Sequence, residues 1–353
     1  MTPQVSVCVP TRDRAESLRR TLHAILGQTF QDFEIIVGDD ASTDGTPEVV
    51  REVSDSRIRY HRHANNLGIY PNWNSLVGQA RGRFICIYHD HDTYLPTILE
   101  RSIALLQRHP AMSFVHTAIV LTDKSGAPLD VFANEFQEVT PGPALRERFA
   151  ETTRNTLCAA STMVRREAYA AAGPFEPAYG LAADRRMWFQ LAGLGSVGYV
   201  REPQALILGR SRGDPTERFR LADLLGNYRI SLEAAAELWP AGSPNRRAAE
   251  ARLLREVHRD LGVALLKAIV YGTPAEIAER AAVVGSAMPR RSAFLAKAAL
   301  RWPARPVLGA LARRLYERRL ASRQARAMEF MQRSATLRNY LPASAGRTTG
   351  EGH

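Results

Sequence analysis

The chain has 353 residues, 45% hydrophobic and 24% charged, the proportions of a soluble globular protein with one large or two smaller domains. Its three cysteines, Cys8, Cys86 and Cys158, lie far apart with no CxxC, which excludes a disulfide framework and a cysteine-based zinc site and fits a reducing compartment. The net charge of +11 is uneven: from Ala241 onward there are 21 Lys+Arg and 8 Asp+Glu, against 26 and 28 before it, so an acidic partner or anionic surface is expected for the C-terminal third.

In chain order, Val5 to Val9 is a β-branched run closed by Pro10, the first predicted strand. It starts without a basic-then-apolar leader, so no secretory signal is expected, and no apolar run is long enough to span a bilayer. Ala15 to Gln28 has a helical period. Phe33 to Val37 is a second buried strand that stops at Gly38-Asp39-Asp40. A helix follows with Thr46 as N-cap and Pro47 first. Ile58 to Tyr60 is a third strand, and Pro71 to Ala80 is helical. Phe84 to Tyr88 reads as a strand buried on both faces, running into His89-Asp90-His91-Asp92. Leu95 to Gln107 is helical and Ser113 to Leu121 a strand. Ser125 to Pro143 is polar and broken, an excursion over the site.

Asn155 to Val164 reads as a strand or a strand and turn, Arg166 to Ala172 as a short helix, and Asp184 to Ala192 as an amphipathic helix. Val197 to Val200 is a strand. From Phe219 the pattern is mainly helical, broken at Pro240, Pro274, Pro289 and Pro303. Gly193 to Gly198 matches GxGxxG but follows a helix and precedes a strand, the reverse of a dinucleotide fingerprint.

Strands alternating with helices imply a parallel sheet with helices on both faces, whose ligands sit at the strands' carboxyl ends. Three strand ends carry unusual polar residues: Pro10-Thr11-Arg12-Asp13, Asp39-Asp40 and Asp90-His91-Asp92. Carboxylates spaced i, i+2 at such a place fit a divalent cation and a phosphorylated ligand. His89 and His91 are read as packing or hydrogen-bonding residues beside the site in preference to metal ligands, and His61 and His63 as surface residues.

Over residues 4–212 these blocks, in this order, resemble the family 2 glycosyltransferases: VSVCVPTRDR from Val5, QTFQDFEIIVGDDASTDGT from Gln28, Asn66 to Asp92, and Gly173-Pro174-Phe175-Glu176 followed by Ala183-Asp184-Arg185-Arg186-Met187-Trp188. The resemblance implies a GT-A (Rossmann-like), mainly parallel α/β sheet flanked by helices over residues 1–215. A basic helical region over 216–340 and a disordered tail over 341–353 complete the expected organisation. It also implies inverting transfer of a sugar from a nucleotide diphosphate sugar to a hydroxyl acceptor, in surface polysaccharide or glycoconjugate synthesis.

By position, Asp184 looks like the general base. Asp40 looks like the nucleobase carboxylate, in a donor pocket with Pro10, Thr11, Arg12 and Asp39. Asp90 and Asp92 look like the pair that holds Mg²⁺ or Mn²⁺, Asp90 also meeting the donor, with Arg210 and Arg212 on the diphosphate. The expected donor is a nucleotide sugar, uridine favoured, and the acceptor a glycan or lipid-linked molecule. The basic C-terminal helices suit an anionic membrane surface and not nucleic acid, so the protein is expected in the cytoplasm, peripheral on the membrane's cytoplasmic face.

Three departures stand out. Ala183 replaces the family's Glu, Arg212 stands where many members have His, and His89 and His91 stand where carboxylates are more usual, leaving the register of the acidic pair open within HDHD. A non-catalytic nucleotide-sugar or glycan binder and a nucleotidyltransferase are the alternatives.

Overall fold

The computed structural model describes residues 2–133, 136–209, 220–271 and 305–342. They fall into two compact units: Met1–Arg146 with Asn155–Ser211 and Ala327–His353, and Glu147–Arg154 with Arg212–Arg326.

The first unit opens with strands and helices in alternation: β1 (Val5–Thr11), α1 (Ala15–Leu26), β2 (Phe33–Asp39), α2 (Thr46–Val53), β3 (Ile58–Arg62), α3 (Ile69–Gln79) and β4 (Phe84–Ile87). After the short β5 (Thr93–Tyr94) come α4 (Ile98–Arg108), β6 (Met112–Thr122), β7 (Pro128–Phe132), β8 (Val139–Thr140) and α5 (Gly142–Glu151). Then β9 (Thr162–Arg165), α6 (Arg166–Ala172), α7 (Ala183–Ala192) and β10 (Ser196–Leu208) complete the sheet.

The strand order is β3-β2-β1-β4-β9-β6-β10-β5, with β7 on β6 and β8 on β10. β3, β2, β1 and β4 pair in parallel, with α1, α2 and α3 as the crossover connections that parallel neighbours need. β9 pairs antiparallel with both β4 and β6, and β10 returns parallel to β6, so the sheet is mixed beyond β4.

Val5, Val7 and Val9 alternate along β1 into one core with Leu18, Leu22 and Ile25 of α1 and Val49 and Val50 of α2. Gly38 lets α3 approach β2: a Cβ there would lie 2.5 Å from Asn72 Oδ1 and 2.8 Å from Leu76. Buried Glu34 is satisfied by Ser6 Oγ at 2.7 Å, Arg59 Nη1 at 2.9 Å and the Arg81 amide at 2.9 Å.

Several local expectations are corrected. β1 continues through Pro10 to Thr11, because Pro10 sits opposite Gly38 in register and the ladder carries on past it. Thr46 lies inside α2, whose cap is Gly45, and the Asp44 carboxylate accepts the Thr46 amide at 3.0 Å. Leu95 to Thr97 are not helical: Thr93–Tyr94 pair with Leu206 and Ala205 instead. The polar stretch 125–143 holds β7 and β8, recruited by edge pairing with β6 and β10. β10 spans thirteen residues, bulging between Val200 and Ala205.

In the second unit α8 (Arg220–Leu238) and α9 (Pro244–Tyr271) flank the break at Pro240. Ile230, Ala234, Leu253 and Val257 are buried there, and Glu256 accepts the Thr153 amide at 2.7 Å. The predicted breaks at Pro274, Pro289 and Pro303 lie outside the described residues, as does the tail from residue 343. α10 (Arg305–Arg333) ends in the first unit. There Met331 and Leu337 close a small core with Leu95, Val120 and Leu206, and Tyr340 and Leu341 pack against it, so Leu341, assigned to the tail by sequence, belongs to this core. No helix among the described residues is long and apolar enough to cross a membrane.

Candidate active site

β2, β1 and β4 are neighbours and parallel, so their carboxyl ends lie side by side. The three polar strand ends singled out in the sequence are therefore adjacent. Thr11 Oγ1 donates to Asp90 Oδ2 at 2.7 Å, and the Asp40 amide donates to the Thr11 carbonyl at 3.0 Å. Asp13, at φ 51°, accepts from the Thr43 amide at 2.6 Å, tying the loop after β1 to the loop after β2. Asp and Asn tolerate that left-handed backbone better than most residues.

Asp39 is fully buried: Oδ1 accepts the Ser42 amide at 2.8 Å and Oδ2 the Tyr60 hydroxyl. Asp40 takes the backbone amides of Leu67 at 2.6 Å and Gly68 at 2.9 Å, fixing the loop before α3, where Gly68 has φ +87°. Both carboxylates thus hold loops at the end of β2. Arg12, half-exposed, lies beside Asp13 with Nε 3.4 Å from its carboxylate. Arg210 and Arg212 lie outside the described residues.

Asp90 is buried and multiply bonded. Besides Thr11 it meets Arg14 Nη1 at 3.3 Å and His91 Nδ1 at 2.9 Å. Burial opposes its ionisation, but the His91 bond and the Arg14 charge hold its carboxyl below the usual range. Asp92 Oδ1 accepts the Leu208 amide at 2.8 Å, which anchors the end of β10, and Oδ2 lies 3.1 Å from His89 Nδ1. Burial disfavours the charged form of His89, yet Asp92, Asp90 and Asp184 outweigh it and raise its pKa. His89, His91 and Asp92 each offer a ligand atom within 4.8 Å of the others, and His89 Nε2 is buried without a hydrogen-bond partner. This donor set fits a divalent cation.

Asp184 stands in the first turn of α7. Its residue surface is only half-buried, but protein surrounds the carboxyl closely, and that desolvation pushes its pKa up to about 6. The Arg185 amide at 2.6 Å and Asn155 Nδ2, 3.3 Å from each oxygen, oppose the shift without cancelling it. The helix start that favours ionisation is outweighed by burial. A pocket of about 120 Å³, lined by Thr117, Ile119, Leu121, Phe132, Asn155 and Cys158 among others, adjoins this group through Asn155.

Sequence reasoning missed three supports. Asn155 begins a run read as a strand or a strand and turn, of which only the end, from Thr162, is strand, and a lone Asn beside apolar residues is the available signal. Asn74 exchanges two hydrogen bonds with the Phe175 backbone, 2.8 and 2.9 Å, holding the turn that leads to α7. Trp73 lies between Phe175 and His89, with ring centroids 5.3 and 5.6 Å away.

Residues 6–171 match the family model Glycosyl transferase family 2. Among curated proteins, the chain is 29% identical over 147 residues to the putative teichuronic acid biosynthesis glycosyltransferase TuaG of Bacillus subtilis, covering 41% of this chain and 58% of that protein. It is 40% identical over 96 residues to the GalNAc(5)-diNAcBac-PP-undecaprenol beta-1,3-glucosyltransferase of Campylobacter jejuni, covering 26% and 31%. The chain thus spans less than two thirds of the length of each of these relatives. Among solved structures, S. aureus TarS 1-349 in complex with UDP-GlcNAc is similar with a TM-score of 0.57 at 18% identity, covering 86% of each chain. The mannosyltransferase PcManGT of Pyrobaculum calidifontis, in complex with GDP-Man and Mn²⁺, gives 0.50 at 20% identity, covering 88% and 87%. The fold is that of these proteins.

Proposed function

Residues 6–171 are a family 2 glycosyltransferase domain, and on that footing we propose that the protein moves a sugar from a nucleotide diphosphate sugar to a hydroxyl acceptor with inversion at the anomeric carbon. The observation that carries this is the environment of Asp184. A carboxylate held near pKa 6 by desolvation is ionised at neutral pH and still basic enough to take a proton from an attacking hydroxyl. Asn155 and the Arg185 amide orient it.

The ends of β1, β2 and β4 supply the donor pocket, with Pro10, Thr11, Arg12, Asp39 and Asp40 on the nucleoside side and Asp90, Arg210 and Arg212 toward the diphosphate. A divalent cation beside Asp90 and Asp92 would neutralise the leaving group's charge when bound. Uridine is the favoured base, since TarS binds UDP-GlcNAc, although PcManGT binds GDP-Man. A glycan or lipid-linked acceptor for surface polysaccharide fits relatives named for teichuronic acid and undecaprenol-linked sugars. Exposed Arg314, Arg318, Arg323 and Arg326 on α10, with exposed Leu320 and Phe330, suit an anionic membrane surface.

A panel of nucleotide sugars, with and without Mn²⁺, tests the proposal. Release of nucleoside diphosphate with one donor supports transfer. Donor binding with no release under any condition favours a binding homologue, and no donor binding by calorimetry removes the transferase.

A further inference from the structure

The pocket of about 120 Å³ beside Asn155 is apolar at a place where sugar chemistry is polar. Its floor is one face of three adjacent strands. Thr117, Ile119 and Leu121 alternate along β6, Phe132 of β7 pairs with Ile119, and Ile207 of β10 pairs with Leu121. The segment from Asn155 to Ser161 makes a wall. The pocket borders both halves of the site. Asn155 Nδ2 lies 3.3 Å from the Asp184 carboxylate, and Ile207 precedes Leu208, whose amide donates to Asp92 at 2.8 Å. Cys158 lines the pocket within reach of both carboxylates: burial pushes its thiol up to about 12, and the charges of Asp92 and Asp184 add to the shift. In an inverting displacement the transferred ring lies between the leaving diphosphate and the base. A pocket bordering Asp92 and Asp184 together therefore faces a substituent of that ring next to its anomeric carbon, whereas an acceptor would border Asp184 alone.

The lining narrows what that substituent can be. Among the described residues that line the pocket none is charged, so a carboxylate or phosphate would find no cation there. The Thr117 hydroxyl donates to the Ala118 carbonyl at 2.9 Å and the Ser161 hydroxyl to the Cys158 carbonyl at 3.0 Å, so toward a ligand both can only accept. Asn155 is engaged by Asp184 and by the Leu157 amide. A bare ring hydroxyl could use those lone pairs but would leave the apolar surface unfilled. An acetamido group meets both demands: its N–H finds an accepting hydroxyl, its methyl an apolar wall, and its carbonyl can face the mouth and water. Its four non-hydrogen atoms suit the volume, since an apolar cavity of about 150 Å³ holds a benzene ring. We propose that this pocket receives the acetamido group of the transferred sugar and so makes the donor a 2-acetamido sugar nucleotide, with Thr117 and Ser161 toward the amide N–H and Ile119, Leu121 and Ile207 against the methyl.

The proposal rests on the glycosyltransferase assignment for the place of the sugar between Asp92 and Asp184, and it is tested on sugar 1-phosphates, which need neither nucleobase nor acceptor. Full-length protein is mixed with N-acetylglucosamine and N-acetylgalactosamine 1-phosphates, and with glucose and galactose 1-phosphates, and binding is followed by saturation-transfer NMR. At least one acetamido sugar should bind about 5- to 20-fold more tightly than its parent hexose, with the acetamido methyl receiving the largest saturation. Leu121→Trp, which fills the pocket, should abolish this preference while the parent hexose phosphate binds as before.

Equal binding of each acetamido sugar and its parent hexose, or no binding of any of the four, overturns the proposal whether or not the variant folds. So does a preference retained in folded Leu121→Trp, with folding checked by thermal melting. None of these results touches the transferase assignment, which stands or falls by release of nucleoside diphosphate in the donor panel.

Discussion

Asn155 and Asp184, 29 residues apart, meet so that one side-chain amide lies 3.3 Å from both oxygens of one carboxylate. The amide stabilises the charged form of a group that burial would otherwise keep protonated. Because Asp184 must be ionised to accept a proton, kcat/KM should fall as pH drops below about 6. Asn155→Ala removes an interaction that lowers the pKa, so its acidic limb should move to higher pH. The pH–rate profiles of the two proteins check this, and an unmoved limb contradicts it.

The same shift has a stability consequence with a definite sign. The pKa of Asp184 is raised from its ordinary value of 3.8 to about 6, so the folded state holds the proton more tightly than the unfolded state. Asp184 therefore costs stability as pH rises through this window, by up to about 2–3 kcal/mol above it. Asp184→Asn should raise Tm at pH 8 and leave it nearly unchanged at pH 4. Melting curves at the two pH values measure the difference.

Asp40 should matter twice. With its carboxylate gone, the Leu67 amide loses its acceptor and the Gly68 amide is left with Asn66 Oδ1 alone, and Asp40→Ala should cost about 1–3 kcal/mol in denaturant unfolding. Donor affinity by calorimetry should fall as well, since the loop it fixes borders the proposed nucleoside pocket. Asp40→Asn, which retains one acceptor oxygen, should recover part of the stability.

Far from the site, buried Arg165 donates to the carbonyls of Met112 at 2.6 Å, Leu106 at 2.6 Å and His109 at 3.2 Å. It staples the end of α4 to the start of β6. Arg165→Met should deprive the Met112 and Leu106 carbonyls of this donor, His109 keeping the Met112 amide at 3.0 Å, and destabilise by about 2–4 kcal/mol, with no change in the pH–rate profile. Parallel melting and kinetic measurements separate the two effects.

Much of the parallel half of the fold was legible because its strands are short apolar runs bounded by glycine, proline and acids. After β1, each also follows a helix, as Phe33–Asp39 follows Ala15–Leu26. β7 and β8 were not legible, since Pro128–Phe132 and Val139–Thr140 owe their extended state to edge pairing with β6 and β10. At the site, sequence position brought out Asp90, Asp92 and Asp184. What each touches is set by contacts 29 to 116 residues away, from Asn155 to Asp184 and from Leu208 to Asp92. No local pattern carries such contacts, whereas the His89–Asp92 and His91–Asp90 bonds are local to the segment itself.

The most direct test of the central claim is product analysis with the donor found by the panel. The anomeric configuration of the transferred sugar is read by NMR for the wild type and for Asp184→Asn. Inverted product from the wild type is predicted, with turnover lowered about 10²- to 10⁴-fold in Asp184→Asn while donor binding is kept. A product of retained configuration, or undiminished turnover in Asp184→Asn, would contradict it.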